Sequence, residues 1–205
     1  MRGLLAALLF MTRLPLPKRI ARAADFGRLM PWLPATGVVV GLPVMALSML
    51  LSSHDPWVAA LFALLAWTGM TGALHLDGLA DVVDGLGAAH GDPERLSKVM
   101  ADPHIGSFGA VAIGAQIAAK LVLLHAAIGS EDWLTLLLVP VAARIGPIFW
   151  TLSLPSLHGG LASGLRRGTK ARHLLMWLGL LGLCSIFAPV LLIAPPAMVA
   201  WHVFV

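Results

Sequence analysis

Three aspartates, Asp77, Asp81 and Asp84, recur at offsets of 0, 4 and 7 residues. On an α-helix, where each residue turns the chain by about 100°, these offsets place the three carboxylates on one narrow face. Like charges at this spacing repel one another, and at the end of an apolar segment each carboxylate also loses hydration. A bound cation relieves both costs. The spacing therefore predicts a metal site held by these three aspartates.

The types of ligand indicate which metal the site would take. All candidate ligands are carboxylate oxygens, and the single cysteine, Cys184, lies in a separate apolar run. Oxygen ligands favour Mg²⁺, Mn²⁺ or Ca²⁺ over Zn²⁺. Two other interpretations stay open at this point: a solvated helix face beyond the membrane, and a proton or cation path in a transporter.

The segment after the aspartates combines a predicted helix start with positive charge. Asp92 is expected to be the N-cap and Pro93 the first residue of this helix. Beyond them, Arg95, Lys98 and Asp102 recur at offsets of 0, 3 and 7 and would face the same way. Beside a metal site, the two cations are candidate phosphate contacts, and Asp102 is a candidate fourth catalytic acid.

Further candidate residues lie outside this acidic region. Arg144 and Lys120 are the cations well inside apolar segments, and each needs a partner or a polar cavity. The glycine-rich basic loop 158–168 contains Arg166, a candidate contact to an anionic substrate. His75 precedes Asp77 by two residues, so a regular helix points it away from the acids and favours packing over metal binding.

The amino-acid composition indicates that these residues belong to a protein embedded in lipid. The 205 residues are 59% hydrophobic and 12% charged, whereas a soluble domain is roughly 45 to 50% apolar and about 25% charged. This excludes a soluble globular domain and a disordered chain. In lipid every backbone amide must be paired internally, and the long apolar runs favour helices over a closed barrel.

Five apolar stretches are long enough to cross a bilayer, which needs about 20 residues. They are Pro31–Leu51, Trp57–Leu76, Ile105–Ile128, Trp133–Leu154 and His173–Ile193. A sixth apolar piece, Ala197–Val205, is cut off by the end of the sequence, and Gly3–Met11 is predicted to be a short interfacial or re-entrant helix. The expected fold is an all-α polytopic membrane bundle of five to six spans, in one domain over residues 1–205.

Charge distribution predicts the orientation. Twelve of the fourteen lysines and arginines precede the first predicted span or lie in the loops 77–104 and 155–172. The loops 52–56 and 129–132 carry neither lysine nor arginine. By the positive-inside rule, the N-terminus and the acidic region are expected on the cytoplasmic side of a bacterial inner membrane. The positive net charge is thus explained by topology, and no nucleic-acid partner is expected.

Three motifs in order resemble the adenosylcobinamide-GDP ribazoletransferase family, also called cobalamin 5′-phosphate synthases. The resemblance lies in residues 10–17 (FMTRLPLP), 75–86 (HLDGLADVVDGL) and 100–109 (MADPHIGSFG). It implies a Mg²⁺-dependent membrane enzyme that joins adenosylcobinamide-GDP to α-ribazole or its 5′-phosphate and releases GMP. Its partners would be corrinoid and nucleotide substrates and the lipid bilayer, with a homo-oligomer or contacts to other cobalamin-assembly enzymes left open.

The resemblance also implies roles for particular residues. Asp77, Asp81 and Asp84 would hold the metal, and one of them or Asp102 would take the proton of the attacking hydroxyl. The candidate phosphate contacts, in falling order, are Arg95, Lys98, Arg144 and Arg166.

The sequence departs from the family pattern at two places. It ends before a C-terminal Gly-Gly-x-Thr-Gly-Asp-like motif, and it has Gly159 and Gly160 where the family often has an acid. The missing motif leaves a partner subunit of a longer synthase as one alternative. Two others rest on the acidic residues: an enzyme like the CDP-alcohol phosphotransferases and a non-enzymatic membrane carrier.

Overall fold

The computed structural model describes residues 2–17, 19, 22, 24–89, 91–154, 165–166 and 168–204. Within these residues all regular elements are helices, as the sequence predicts. They are α1 (Arg2–Met11), α2 (Leu33–Leu51), α3 (Pro56–Thr71), α4 (Leu74–Ala89), α5 (Pro93–Met100), α6 (Ser107–Gly129), α7 (Trp133–Ala142), α8 (Gly146–Ser153), α9 (Ala171–Cys184) and α10 (Ala194–Phe204). Short 3₁₀ turns occupy Phe26–Arg28, Met30–Trp32 and Pro189–Ile193.

Three helical stretches of the described chain are long and apolar enough to cross a membrane, and α3 with α4 adds a fourth if that bent pair is one span. The three are Met30–Leu51, Ser107–Gly129 and Trp133–Ser153. They confirm the first, third and fourth predicted spans. The protein is thus a polytopic helical membrane protein, with fewer long spans in its described residues than the five to six expected.

The second predicted span, Trp57–Leu76, is wrong as a single straight helix. α3 ends at Thr71, and α4 leaves it at an angle of 82°. Gly72 and Ala73 both have left-handed backbone angles, φ 61° and 59°, and the Ala73 N–H bonds to the Thr68 carbonyl at 3.1 Å. This arrangement closes the end of a helix and cannot continue it.

The fifth predicted span, His173–Ile193, is also wrong as a continuous helix. α9 stops at Cys184, and the chain reaches Ala188 in a non-helical conformation, with φ −138° and ψ 77°. Proline has no backbone N–H and disfavours the helical conformation in the residue before it. Pro189 therefore explains why a 3₁₀ turn separates α9 from α10.

The predicted short N-terminal helix is present as α1. Ala6 and Ala7 on its inner face are fully buried, in one cluster with Leu29 and Leu33. Two residues after α1 ends, the Arg13 N–H donates to the Met70 carbonyl at 2.8 Å. The N-terminal segment therefore packs against the bend that precedes the acidic helix.

Close packing of α2 against α7 forms the centre of the bundle. A Cβ at Gly41 would overlap the Leu137 carbonyl, and one at Gly37 would lie 2.5 Å from backbone atoms of Val141. Small residues let two helix backbones approach this closely, which is a common way for helices to associate in lipid. These glycines are therefore required by the helix pairing.

The outward surface of α6 is strongly apolar. Val111 is 72% exposed and Leu123 is 68% exposed. A soluble protein rarely exposes a continuous apolar surface of this kind. The α6 surface is thus suited to contact with lipid, in agreement with the composition.

We expect Gly41→Ala to destabilise the fold by about 1–3 kcal/mol, because the added methyl group would overlap the backbone of α7. The midpoint of thermal unfolding in a neutral detergent measures this effect. Gly182→Ala in α9 is the matched control, since a Cβ there has nothing within 4 Å. Equal midpoints for the two variants would contradict the close α2–α7 contact.

Candidate active site

The aspartates Asp77, Asp81 and Asp84 all lie on α4, so the predicted helical spacing is confirmed. Asp77 is exposed, whereas Asp81 and Asp84 are half-buried. The residues of this helix face α5 and α6: a Cβ at Gly85 would contact Leu96 of α5. α4 therefore presents its acids beside the two helices that follow it.

Asp84 makes a contact that its spacing alone did not reveal. One carboxylate oxygen accepts a hydrogen bond from the Gly106 N–H and the other from the Gly109 N–H, both at 2.8 Å. Gly106 is the N-cap of α6 and has no side chain to cap the helix. Asp84 therefore supplies the cap from α4, and its negative charge lies at the positive end of the α6 dipole.

The glycines at both positions are required by this contact. A Cβ at either Gly106 or Gly109 would overlap the Asp84 carboxylate. The pattern Gly-x-x-Gly after Asp102 was the signal in the sequence for this close approach. What the sequence did not show was that its partner is an aspartate 22 and 25 residues earlier.

Asp77 and Asp81 differ from Asp84 in their contacts. Neither carboxylate has a hydrogen bond or ion pair with a residue that the structure describes. Within the same residues, no group of three His, Cys, Asp or Glu side chains is close enough to hold a metal ion by itself. Asp77 and Asp81 are therefore the two carboxylates here that remain available to a hard cation within the described residues. The metal site held by all three aspartates stays a prediction.

The predicted start of α5 is confirmed. Asp92 caps it, accepting from the Glu94 N–H at 2.9 Å, and Pro93 is its first residue. Arg95 and Lys98 are exposed on this helix, and neither has an ion-pair partner among the described residues. Both cations are thus free to contact an anion.

Asp102 does not share their helix face, and that prediction is wrong. α5 ends at Met100, because Pro103 disfavours the helical conformation at the residue before it. The Asp102 carboxylate accepts from the His104 N–H at 3.0 Å and lies 2.6 Å from the His104 Nδ1. These hydrogen bonds lower the pKa of Asp102 below its ordinary value.

The remaining predicted substrate contacts lie elsewhere. Arg144 is buried at the break between α7 and α8 and lines a large cavity together with His75. None of Asp77, Asp81 and Asp84 lines that cavity, so His75 points away from the acids as predicted.

Of the basic loop, the structure describes residues 165–166 and 168. Arg166 is exposed, and its guanidinium donates to the Leu154 carbonyl at 3.4 Å. Gly159 and Gly160, where the sequence departs from the family pattern, lie outside the described residues.

Comparison with known proteins identifies the family. A family model for cobalamin-5-phosphate synthase matches residues 3–205. The chain belongs to the cobalamin-5-phosphate synthase family. An adenosylcobinamide-GDP ribazoletransferase of Novosphingobium aromaticivorans is 46% identical over 209 residues, which cover 99% of this chain and 85% of the relative.

Two further relatives of this cobalamin-5-phosphate synthase family member carry the same name. The protein from Thiobacillus denitrificans is 44% identical and covers 100% of this chain and 83% of the relative. That from Laribacter hongkongensis is 43% identical, with 100% of this chain and 85% of the relative covered. No solved structure matches the chain.

We expect Gly109→Ala to break the Asp84 contact and weaken the start of α6 in this synthase family member. Losing a hydrogen bond from a charged acceptor costs about 1.5–3 kcal/mol. Hydrogen–deuterium exchange should show faster exchange of the amides in residues 104–110. Gly114→Ala is the control on the same helix, because a Cβ there has nothing within 4 Å. Unchanged exchange in Gly109→Ala would disprove the cap.

Proposed function

We propose that this chain is an adenosylcobinamide-GDP ribazoletransferase that uses α-ribazole or its 5′-phosphate as acceptor and depends on Mg²⁺. The shared name of its relatives, which match nearly the whole chain, supports this activity. The assignment of the site rests on two carboxylates of α4, Asp77 and Asp81, that have no partner among the described residues. The helix α5, which carries the cations, packs against α4.

The reaction replaces a phosphoanhydride bond, between the cobinamide phosphate and GMP, with a phosphate ester bond to the ribazole. A ribazole hydroxyl attacks the phosphorus that carries cobinamide, forming a new O–P bond. The bond from that phosphorus to the GMP oxygen breaks, and GMP leaves with the electron pair. The hydroxyl proton passes to a nearby base. Catalysis of such a transfer consists mainly of positioning and of stabilising negative charge on the phosphate oxygens.

The donor set of α4 fits a magnesium ion. Mg²⁺ is commonly held by one or two protein carboxylates, while substrate phosphates and water complete its coordination. Asp77 and Asp81 provide such a pair, at a spacing of one helical turn. When bound, the ion would neutralise charge that develops on the transferring phosphate. Asp84, committed to two backbone amides, is assigned a positioning role.

The base is proposed to be Asp77 or Asp81. Asp102 was an alternative, but a carboxylate whose pKa is lowered holds a proton less readily and is a weaker base. Its hydrogen bonds to His104 instead shape the turn between α5 and α6.

The phosphate groups of the substrate are proposed to contact Arg95 and Lys98. These two cations are three residues apart on α5, so they share one face, and α5 packs against the acidic helix. Arg166 is a third candidate, from the loop that follows α8.

The distribution of lysine and arginine supports an orientation for this site. The acidic helix and α5 lie in the loop region that the positive-inside rule assigns to the cytoplasm. We therefore place the site at the cytoplasmic face of a bacterial inner membrane. A carrier would instead need acidic groups distributed along a path through the bundle.

We expect Asp77→Asn and Asp81→Asn each to reduce kcat/KM by at least about 100-fold, since each removes a carboxylate that contacts the metal or the proton. The assay is GMP release and corrinoid product formation in proteoliposomes with adenosylcobinamide-GDP, α-ribazole 5′-phosphate and Mg²⁺. Glu94→Gln, an exposed neighbour on α5 whose side chain has no described partner, is the matched control and should keep its activity.

Two results separate the parts of this proposal. Full activity in both aspartate variants would refute the acidic site, whereas an inactive wild-type chain would refute the transferase activity itself. Removing metal with EDTA should abolish turnover and added Mg²⁺ should restore it. Turnover that persists without metal would refute the magnesium dependence alone.

A further inference from the structure

A large cavity opens between α3, α6 and α7, apart from the acidic face of α4. Its volume is about 770 Å³, and the 3₁₀ turn Pro189–Ile193 closes part of its wall. Most of its lining is apolar, with Leu64 of α3, Leu123 of α6 and Val139 of α7 as examples. Ligand cavities of about 300–1,000 Å³ hold molecules of drug size, so this space is much larger than a single inorganic ion requires.

One buried arginine is the main polar group of the cavity. Arg144 is 3% exposed, and one of its guanidinium N–H groups donates to the Pro140 carbonyl at 2.7 Å. Its Nε is fully buried and has no hydrogen-bond partner among the residues that the structure describes. A buried, unpaired N–H on a charged group is costly unless a ligand accepts from it. Arg144 therefore brings a buried positive charge, incompletely satisfied by the described residues, to the wall of this cavity.

A second cation lies in the same cavity. Lys120 of α6 is half-buried, and its Nζ is 4.5 Å from the centre of the Trp67 ring. The aromatic face partly compensates its charge but leaves its N–H donors available. Lys120 and Arg144 thus bring two positive charges to one apolar space.

No acidic side chain described in the structure neutralises these charges. Asp132 also lines the cavity, but its carboxylate accepts from the Thr135 hydroxyl at 2.6 Å and from the Thr135 N–H at 3.2 Å. It forms no ion pair with either cation. Within the described residues the cavity therefore carries two positive charges without a paired carboxylate, which suits an anionic ligand.

We propose that this cavity binds a phosphate ester that carries an apolar group. The guanidinium of Arg144 provides a charged donor for phosphate, and Lys120 adds a point charge. The apolar walls would hold the organic part of the ligand. Two sources have this chemistry: the head of an anionic phospholipid and, if the proposed function holds, the phosphorylated ribazole acceptor.

The test uses two pairs of probes that differ only in a phosphate group. Phosphatidic acid is compared with diacylglycerol, and α-ribazole 5′-phosphate with α-ribazole. Binding to the purified full chain in neutral detergent is measured by native mass spectrometry and by the shift in unfolding midpoint. We expect at least one phosphorylated probe to bind about 10- to 100-fold more tightly than its partner.

Variants at the cavity cations test whether the preference for phosphorylated probes arises in the cavity. Arg144→Gln with Lys120→Gln should remove the preference, while Arg172→Gln with Lys170→Gln, which removes two exposed cations, should keep it. Arg144→Lys keeps the charge and controls for misfolding; it should bind the phosphorylated probe with intermediate affinity.

The outcomes are separable. Preference for phosphatidic acid alone identifies a lipid site, and preference for the ribazole phosphate alone identifies an acceptor site. No preference for phosphate in the wild type, or an equal preference in the Arg144→Gln, Lys120→Gln variant, would overturn the proposal. Because binding is measured without turnover, this result is independent of whether the α4 site catalyses the transfer.

Discussion

The hydrogen bonds from Gly106 and Gly109 to the Asp84 carboxylate fix the acidic helix to α6. The first amides of a helix have no partner inside it, and they lie at its positive end. A carboxylate that accepts from two of them sets both the distance and the rotation of α4 against α6. With that rotation fixed, Asp77 and Asp81 lie on the same helix face as Asp84 and have no partner among the described residues. The position of the candidate metal site thus depends on an aspartate that need not bind the metal.

The bend between α3 and α4 has an equally direct consequence. At an angle of 82°, α4 leaves the direction of the apolar helix that precedes it. The Arg13 N–H bonds to the Met70 carbonyl at the end of α3, and the Arg13 side chain lies against Gly72. The N-terminal motif and the acidic motif, far apart in the sequence, therefore meet at one bend. The N-terminal motif, residues 10–17, contains no acidic residue, and its contact with the bend gives it a structural role.

Sequence patterns within one helix correctly predicted the features that depend only on residues close together in the chain. The aspartate spacing placed three acids on α4, and Asp92 with Pro93 marked the start of α5. Hydropathy alone could not reveal that Gly72 and Ala73 would turn left-handed or that Pro189 would interrupt a long apolar run, because apolar content does not encode backbone direction. The partners of Asp84 could not be predicted, since periodicity describes one helix and the contact joins two.

The acids of α4 and the two cations of the cavity do not pair with one another among the described residues. Asp77 and Asp81 lie on α4, whereas Arg144 and Lys120 line a cavity that excludes them. If the buried cations were paired with these carboxylates, each group would lose its ability to bind a ligand of opposite charge. Pairing would also lower the cost of burying Arg144. Leaving these groups unpaired keeps the α4 carboxylates available for the proposed cation and the two cavity cations available for the proposed anion.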